Sequence, residues 1–440
     1  MRMDATILLS KIPKGSKLVI YGAGETGRNI VSYINNRRDY NIIAWVDSKW
    51  KEEEVLNRKI ESPYGIRKLN FDFIVIATFI HDWIREIQIN LERMGIPKRK
   101  IVYFDVGSEK YRFNPEKLRC ISLLDTGAAT MNMGDCIIME AVKSEMDYLL
   151  KNYFVTNFST HTPIAVEEQI SDNFRYNFLK YSKYTFLCGT DLLEESMDTR
   201  IPQWNMNLNN CSVLRNVILL GIGSSAQNKT GHFNPYTKEL LTKVLSKDFI
   251  HSVRNEKARI MLKEIGLEAV NTGCPTVWGL NADFCQHIPN QKSNKVVFSI
   301  SEFKKDVEND KRLVEFLKKN YQVVYFWPQA YMDYNYLRSI IDLEEIQVIK
   351  PNLESFKKVL QNEDVDYVGT RLHGGIFALQ HGKRTIILGI DNRAADMYKE
   401  ININYIQYGD FQLLDKKIYS DLKTEINIPI DQINFFKNQF

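Results

Sequence analysis

Short apolar runs alternate with amphipathic stretches along most of the chain. KLVIYGAG (17–24), NIIAWVD (41–47), FDFIVIAT (71–78) and KIVYFDV (100–106) read as buried strands, and ETGRNIVSYINNRR (25–38) and DWIREIQINLERMG (82–95) as helices. Together they predict a Rossmann-like domain over residues 1–118, closed by the polar, proline-containing linker YRFNPEKLRC (111–120). A second run follows over 119–290, with strands at 120–127, 183–191, 216–225 and around FIHSVR, and helices at 134–152, at 166–182 and after Arg254. The pattern breaks at PNQKSN (289–294). A third run over 291–440 has strands at 295–301, 322–330 and 384–391, helices at 305–320 and 353–363, and a strand-to-helix unit at 366–382. The fold class is therefore α/β. Two consecutive Rossmann-like halves after residue 118 predict an interdomain cleft with ligands at the carboxyl ends of the strands.

A length of 440 residues suits two to four domains at roughly 100–200 residues each. With 44% hydrophobic and 25% charged residues the chain falls in the ordinary globular class. A net charge of +4 is too small to argue for nucleic acid as a partner. The six cysteines have no CxxC spacing, which argues against a zinc knuckle or redox motif and for buried thiols in a reducing compartment. No apolar stretch reaches the roughly 18 residues of a membrane span, and MRMDATILLSKIPKGSK does not read as a secretory leader. The expectation is a cytoplasmic protein, with peripheral work at the inner membrane face on a lipid-linked substrate left open, as is the oligomeric state. No metal-ligand cluster stands out.

Gly22, Gly24 and Gly27 follow a strand and open a helix, and Asp47 ends the next strand. That context fits a dinucleotide-type turn: glycines bring the backbone to a diphosphate at a helix N-terminus, and the acid meets a ribose hydroxyl. A turn kept only for its geometry fits the same residues. No hydride-transfer acid or base accompanies it. The domain resembles the N-terminal sugar-nucleotide-binding domains of bacterial sugar-modifying enzymes, which implies a nucleotide or nucleotide-sugar as its ligand.

The later halves hold the candidate chemistry. Asn132, Gly134 and Asp135 stand at a turn into a helix, where amides can hold a hydroxyl or anion and Asp135 can equally be a cap. Gly223 and Ser224 lie in a Gly/Ser loop after a strand, a candidate anion nest. Arg254 closes a strand, which is costly for a buried guanidinium unless it meets an anion. Gly369-Thr370-Arg371-Leu372-His373-Gly374-Gly375 passes from strand to helix. Arg371 and His373, two residues apart on an extended turn, would project alike, one to fork an anion and one to move a proton. Arg393 follows the strand RTIILGID.

Taken together these segments resemble the polysaccharide pyruvyltransferase family over about residues 120–395. Two positions depart from its pattern: Asn255 stands where the family has Asp after Arg254, and Arg393 where it has Lys. The resemblance implies a fold similar to the GT-B pair of facing Rossmann domains, with residues 396–440 crossing back to the first half. It implies a transferase that moves the pyruvyl group of phosphoenolpyruvate onto sugar hydroxyls in capsule or exopolysaccharide biosynthesis. His373 would be general acid or base. Arg371, Arg254, Leu372, Arg393, Gly223 and Ser224 would hold the donor, and Asn132, Gly134 and Asp135 the saccharide or lipid-linked oligosaccharide acceptor. No cofactor is required by that chemistry. A GT-B glycosyltransferase using a nucleotide-sugar, and a non-catalytic sugar-binding module, are the alternatives.

Overall fold

The computed structural model describes residues 8–50, 54–104, 119–165, 175–199, 202–224, 228–390 and 392–440. The chain forms two compact units, 1–114 and 115–440. The linker and the boundary expected at 118 fall largely outside the described residues.

The first unit is a six-stranded sheet in the order β3-β4-β2-β1-β5-β6, with strands β1 (Lys17–Tyr21), β2 (Asn41–Val46), β3 (Glu54–Val55), β4 (Arg58–Glu61), β5 (Phe73–Ile76) and β6 (Ile101–Tyr103). All pairings are parallel except the β3–β4 edge hairpin. β1 is apolar over four consecutive buried positions because both of its faces are covered. Helix α1 (Glu25–Arg37) buries Ile30, Val31 and Ile34, and α2 (His81–Arg93) follows β5. A Cβ on Gly27 would lie 2.0 Å from the Gly22 carbonyl oxygen, so only glycine lets α1 approach the end of β1.

The second unit has two halves. In the first, β7 (Cys120–Asp125) is wholly buried between β8 (Phe154–Ser159) and β9 (Tyr184–Cys188), and β10 (Val217–Leu220) follows β9. β11 (His251–Val253) and β12 (Ala269–Asn271) continue that side through a parallel bridge from Ile222 to Val253. Helices α3 (Met133–Glu145), α4 (Pro235–Val244) and α5 (Glu256–Glu264) connect strands. In the second half, β13 (Lys295–Ser299), β14 (Val323–Phe326), β15 (Gln347–Val348), β16 (Asp366–Gly369), β17 (Thr385–Gly389) and β18 (Tyr405–Gln407) form one parallel sheet ordered β15-β14-β13-β16-β17-β18. This is the doubly wound order, and the chain reverses direction across the sheet between β13 and β16. Its helices are α6 (Val307–Asn320), α7 (Asp333–Ile340), α8 (Leu353–Asn362), α9 (Leu372–Gln380), α10 (Asn392–Ile401) and α11 (Phe411–Ile418).

One hydrophobic cluster runs through both halves, from Ile137 and Phe186 to Trp327, Phe356 and Phe377. Lys357 on α8 pairs with Glu140 on α3 at 2.6 Å. The last helix, α12 (Ile430–Lys437), returns to the first half. There Lys437 pairs with Glu145 at 2.6 Å, Gln439 accepts from the Ile250 amide at 2.8 Å, and the Phe440 ring stacks on Phe249. Phe436 is fully buried. Upstream, the buried Arg384 pairs with Asp366 and donates to the carbonyls of Lys417 and Ile418, which fixes the returning segment.

Candidate active site

The turn after β16 lies at the point where the second half's strand order reverses, where ligands of doubly wound sheets bind. A Cβ on Gly369 would lie 2.8 Å from the Ser299 backbone, so glycine is needed for β16 to run this close to β13. The Thr370 amide then donates to the Ser299 carbonyl at 3.0 Å. Arg371 is extended (φ −85, ψ 100) as the N-cap, and α9 starts at Leu372. Arg371 and His373 are therefore not two positions of one extended turn. Helix geometry begins between them and separates their directions, with His373 buried in the first turn of α9.

Arg371 turns to Asp333, the first residue of α7, whose side chain is completely buried. Its Nε donates to Asp333 Oδ2 at 3.0 Å and its Nη2 to Oδ1. The carboxylate also accepts the Glu302 amide at 3.1 Å and the Ala330 amide at 2.8 Å. Asp333 thus joins the chain segments that follow β13, β14 and β16. Among the described residues, the Nη1 side of Arg371 makes no hydrogen bond. That edge can take an anion, although the aspartate already offsets the charge behind it.

The first half meets this region through the loop into α3. Asn132 is the N-cap of α3, and its Oδ1 accepts from the Gly134 amide at 3.1 Å and from Gln329 Nε2 at 2.9 Å. Asn132 also bridges Ala330, the Met133 amide donates to the Gln329 carbonyl at 2.9 Å, and the Tyr331 amide to that of Met131. A Cβ on Gly134 would lie 2.9 Å from Gln329 Nε2, and one on Gly374 would lie 2.9 Å from Gln329 Oε1. Gln329 is therefore wedged between the starts of α3 and α9. Asp135 is buried, accepts from Thr130 Oγ1 at 2.6 Å, and lies 3.8 Å from His161 Nε2. His161 Nε2 is 2.9 Å from the Thr126 carbonyl.

Arg254 ends β11 and pairs through Nη2 with Asp191 at 2.6 Å. Burial works against its charge, but Asp191 and the Cys274 sulfur outweigh that and raise its pKa. The anion that justifies this buried guanidinium is thus supplied by its own half. Asn255, where the family has Asp, caps α5 by accepting from the Ala258 amide at 2.9 Å, a task either side chain performs. A Cβ on Gly223 would lie 2.2 Å from Asp191 Oδ1 and 2.5 Å from Arg254 Nε, so this glycine makes room for the pair. The Gly223 amide donates to the Thr190 carbonyl at 2.8 Å, and Ser224 bridges Leu193. The Gly223 amide is therefore engaged by the protein itself. Arg393 falls in the first turn of α10, and its side chain lies outside the described residues.

The two arginines are thus held in separate ion pairs, Arg371–Asp333 in one half and Arg254–Asp191 in the other. A cleft of about 670 Å³ opens where the halves meet, walled by Thr130, Met131 and Met133 on one side and by 328–331, Tyr334, Asn335 and 348–351 on the other. Arg371, His373 and Arg254 are not among its lining residues, but Gln329 joins its wall to the start of α9. Four residues of the site were not expected from sequence: Asp333, Gln329, Asp191 and His161. Each acts through a contact distant along the chain, and no motif surrounds it. In the first unit, Asp47 Oδ2 accepts from the Ala23 amide at 2.7 Å and Oδ1 from the Lys49 amide at 2.8 Å, so the acid braces the glycine turn, while Gly24 is the N-cap of α1. Among the described residues no three His, Cys, Asp or Glu side chains converge as a metal ion would need.

Fold and site together define an α/β protein with two Rossmann-like halves tied at their strand-end loops, one presenting an arginine–histidine turn at its switch point. Residues 132–392 match the family model described as polysaccharide pyruvyl transferase, and the chain belongs to that family. It is accordingly a transferase of a family that acts on saccharides. Residues 14–102 match a model described as C2185-like, N-terminal. No curated protein matches the chain significantly. Among solved structures, a UDP-GlcNAc 2-epimerase from Methanocaldococcus jannaschii is 12% identical, with 96% of this chain and 99% of that one covered and a TM-score of 0.35. A UDP-N-acetylglucosamine 2-epimerase is 9% identical, with 97% and 91% covered and a TM-score of 0.33. Likeness at that level leaves the fold to be read from this chain's own strand order.

Proposed function

We propose that this transferase moves the pyruvyl group of phosphoenolpyruvate onto two hydroxyls of a saccharide, as a step in bacterial surface-polysaccharide biosynthesis. The observation that carries the reading is the Arg371-Leu372-His373 turn, at the switch point of the second half and inside the span matched by the family. Phosphoenolpyruvate has a phosphate and a carboxylate, and the Nη1 edge of Arg371 with the first amides of α9 suits one of them. Because Asp333 offsets Arg371 and Asp191 offsets Arg254, donor binding rests on directed hydrogen bonds more than on net charge. Leu372, Ser224 and Arg393 belong to the donor side in this reading, with Gly223 seating the Asp191–Arg254 pair, and Asn132, Gly134 and Asp135 belong to the acceptor side.

In the reaction, His373 gives a proton to the donor methylene, which makes the adjacent carbon electrophilic. A sugar hydroxyl adds there, the carbon–oxygen bond to phosphate breaks, and a neighbouring hydroxyl closes the ketal. Of the two hydroxyl protons lost, one balances the new methyl group and the other leaves with phosphate. The first unit would hold a nucleotide or nucleotide-sugar against α1, through Gly22, Gly24 and Gly27, with Asp47 bracing the turn. Among the described residues no helix is long and apolar enough to cross a membrane; we place the reaction in the cytoplasm, on a free or lipid-linked acceptor at the membrane face.

Thermal-shift titration with phosphoenolpyruvate, UDP and GDP tests the donor. Stabilisation by phosphoenolpyruvate that is lost in Arg371→Gln supports the reading. Stabilisation by UDP or GDP alone, lost in the same variant, would replace it with nucleotide-sugar transfer.

A further inference from the structure

The cleft between the α3 loop and the segments after β14 and β15 has a wall chemistry that goes beyond a generic sugar site. Its volume of about 670 Å³ is in the range of small-molecule sites. Met131 and Tyr331 stand at it with 71% and 69% exposure, unusually high for residues so apolar, and Tyr334 lies beside them. Rings of this kind cover the C–H faces of a pyranose while their hydroxyls stay wet. Asn335 supplies a carboxamide that both donates and accepts, as sugar hydroxyls require, while Gln329 is buried behind the wall with its Nε2 donating to Asn132 Oδ1 at 2.9 Å. Gln329 Oε1 is buried beside the start of α9 and has no hydrogen-bond partner among the described residues.

Charge then narrows the ligand. Among the described residues no aspartate or glutamate lines this cleft, the one ionised side chain at it is Lys350, and that lysine is exposed and makes no ion pair. A lone ammonium beside aromatic rings and amides matches a saccharide carrying a carboxylate better than a neutral one.

We infer that this cleft is the acceptor subsite and that it selects an acidic saccharide, with Lys350 facing a uronate carboxylate and Tyr331 stacking on a sugar ring. The inference rests on the pyruvyl-transfer reading for the role of the cleft, but not for its ligand. Gln329, shared between the cleft wall and the start of α9, brings the bound sugar next to the Arg371–His373 turn.

The test is calorimetric titration of the full chain with a tetrasaccharide containing one glucuronate and with its carboxyl-reduced neutral counterpart. One exposed charge pair at contact distance corresponds to a preference of roughly fivefold for the acidic sugar at low salt. The preference should shrink in high salt, disappear in Lys350→Gln and persist in Lys350→Arg. Tyr331→Ala should weaken both sugars alike. Equal binding of the two sugars, a preference unchanged in Lys350→Gln, or binding of neither overturns the inference. Phosphate release from phosphoenolpyruvate is measured separately. Lys350-dependent binding without release would fail the pyruvyl-transfer reading alone, and release without the preference would fail the subsite alone.

Discussion

Replacing Asp333 with Asn probes the junction where the candidate chemistry is assembled. The carboxylate is fully buried and accepts four N–H groups, the Glu302 amide and Arg371 Nη2 at Oδ1, and the Ala330 amide and Arg371 Nε at Oδ2. An asparagine side chain has the same shape but only one acceptor oxygen. Whichever way its amide turns, an NH₂ group faces two donors, and two hydrogen bonds are lost together with the countercharge of a guanidinium that is itself largely buried. Removing one partner of a buried ion pair costs about 3–5 kcal/mol. Urea unfolding of Asp333→Asn should show a loss of that size, and Asp333→Asn combined with Arg371→Gln should cost clearly less than the two single changes added together. Donor affinity should fall as well, because Arg371 would no longer be fixed against Ile300 and Asp333. A loss under about 1 kcal/mol, or full additivity in the double-mutant cycle, would refute the idea that this pair organises the site.

Phe436→Ala on α12 should cost about 3–5 kcal/mol in urea unfolding, since the ring is fully buried and packs edge-on against Trp278 of the first half; a loss below about 1 kcal/mol would show that the returning segment is not docked. His251 is held neutral, its Nδ1 accepting from the Leu219 amide and its Nε2 donating to the Ser246 carbonyl, and burial pushes its pKa down from 6.5 to about 4 despite the Ser246 carbonyl. Because the folded value lies below the unfolded one, its contribution is full above pH 6.5 and declines as the pH drops toward 4, by about 3 kcal/mol. His251→Gln should flatten that part of the stability–pH profile, and an unchanged slope would contradict the assignment. Gly223→Ala should lower stability by about 1–3 kcal/mol by forcing apart Asp191 and Arg254, and wild-type stability would show that the contact relaxes freely.

The strand-to-helix alternation was legible in the central strands because parallel strands covered on both faces are continuous apolar runs, as in β7 and β13. It failed at β8, whose FVTNFS is partly exposed at a sheet edge, and at the β3–β4 hairpin, which is short and polar. The segment holding α7 does not read as a helix, because it spans only eight residues and its buried stripe of Asp333, Tyr336 and Leu337 begins with a charged residue. At the site, Arg371 and His373 were legible from a local motif, whereas their surroundings were not. Asp333 reaches Arg371 across 38 positions and Gln329 reaches Asn132 across 197, distances over which spacing has no meaning without the fold. The same blindness explains Arg254: a strand-end arginine predicts an anion, but not that Asp191 is that anion.

The most direct measurement of the central claim is mass spectrometry of a saccharide acceptor incubated with the full chain and phosphoenolpyruvate. The account predicts a product heavier by one pyruvate less one water, formed together with an equal amount of phosphate and absent with His373→Ala. An acceptor of unchanged mass, or a product formed equally well by His373→Ala, would contradict it.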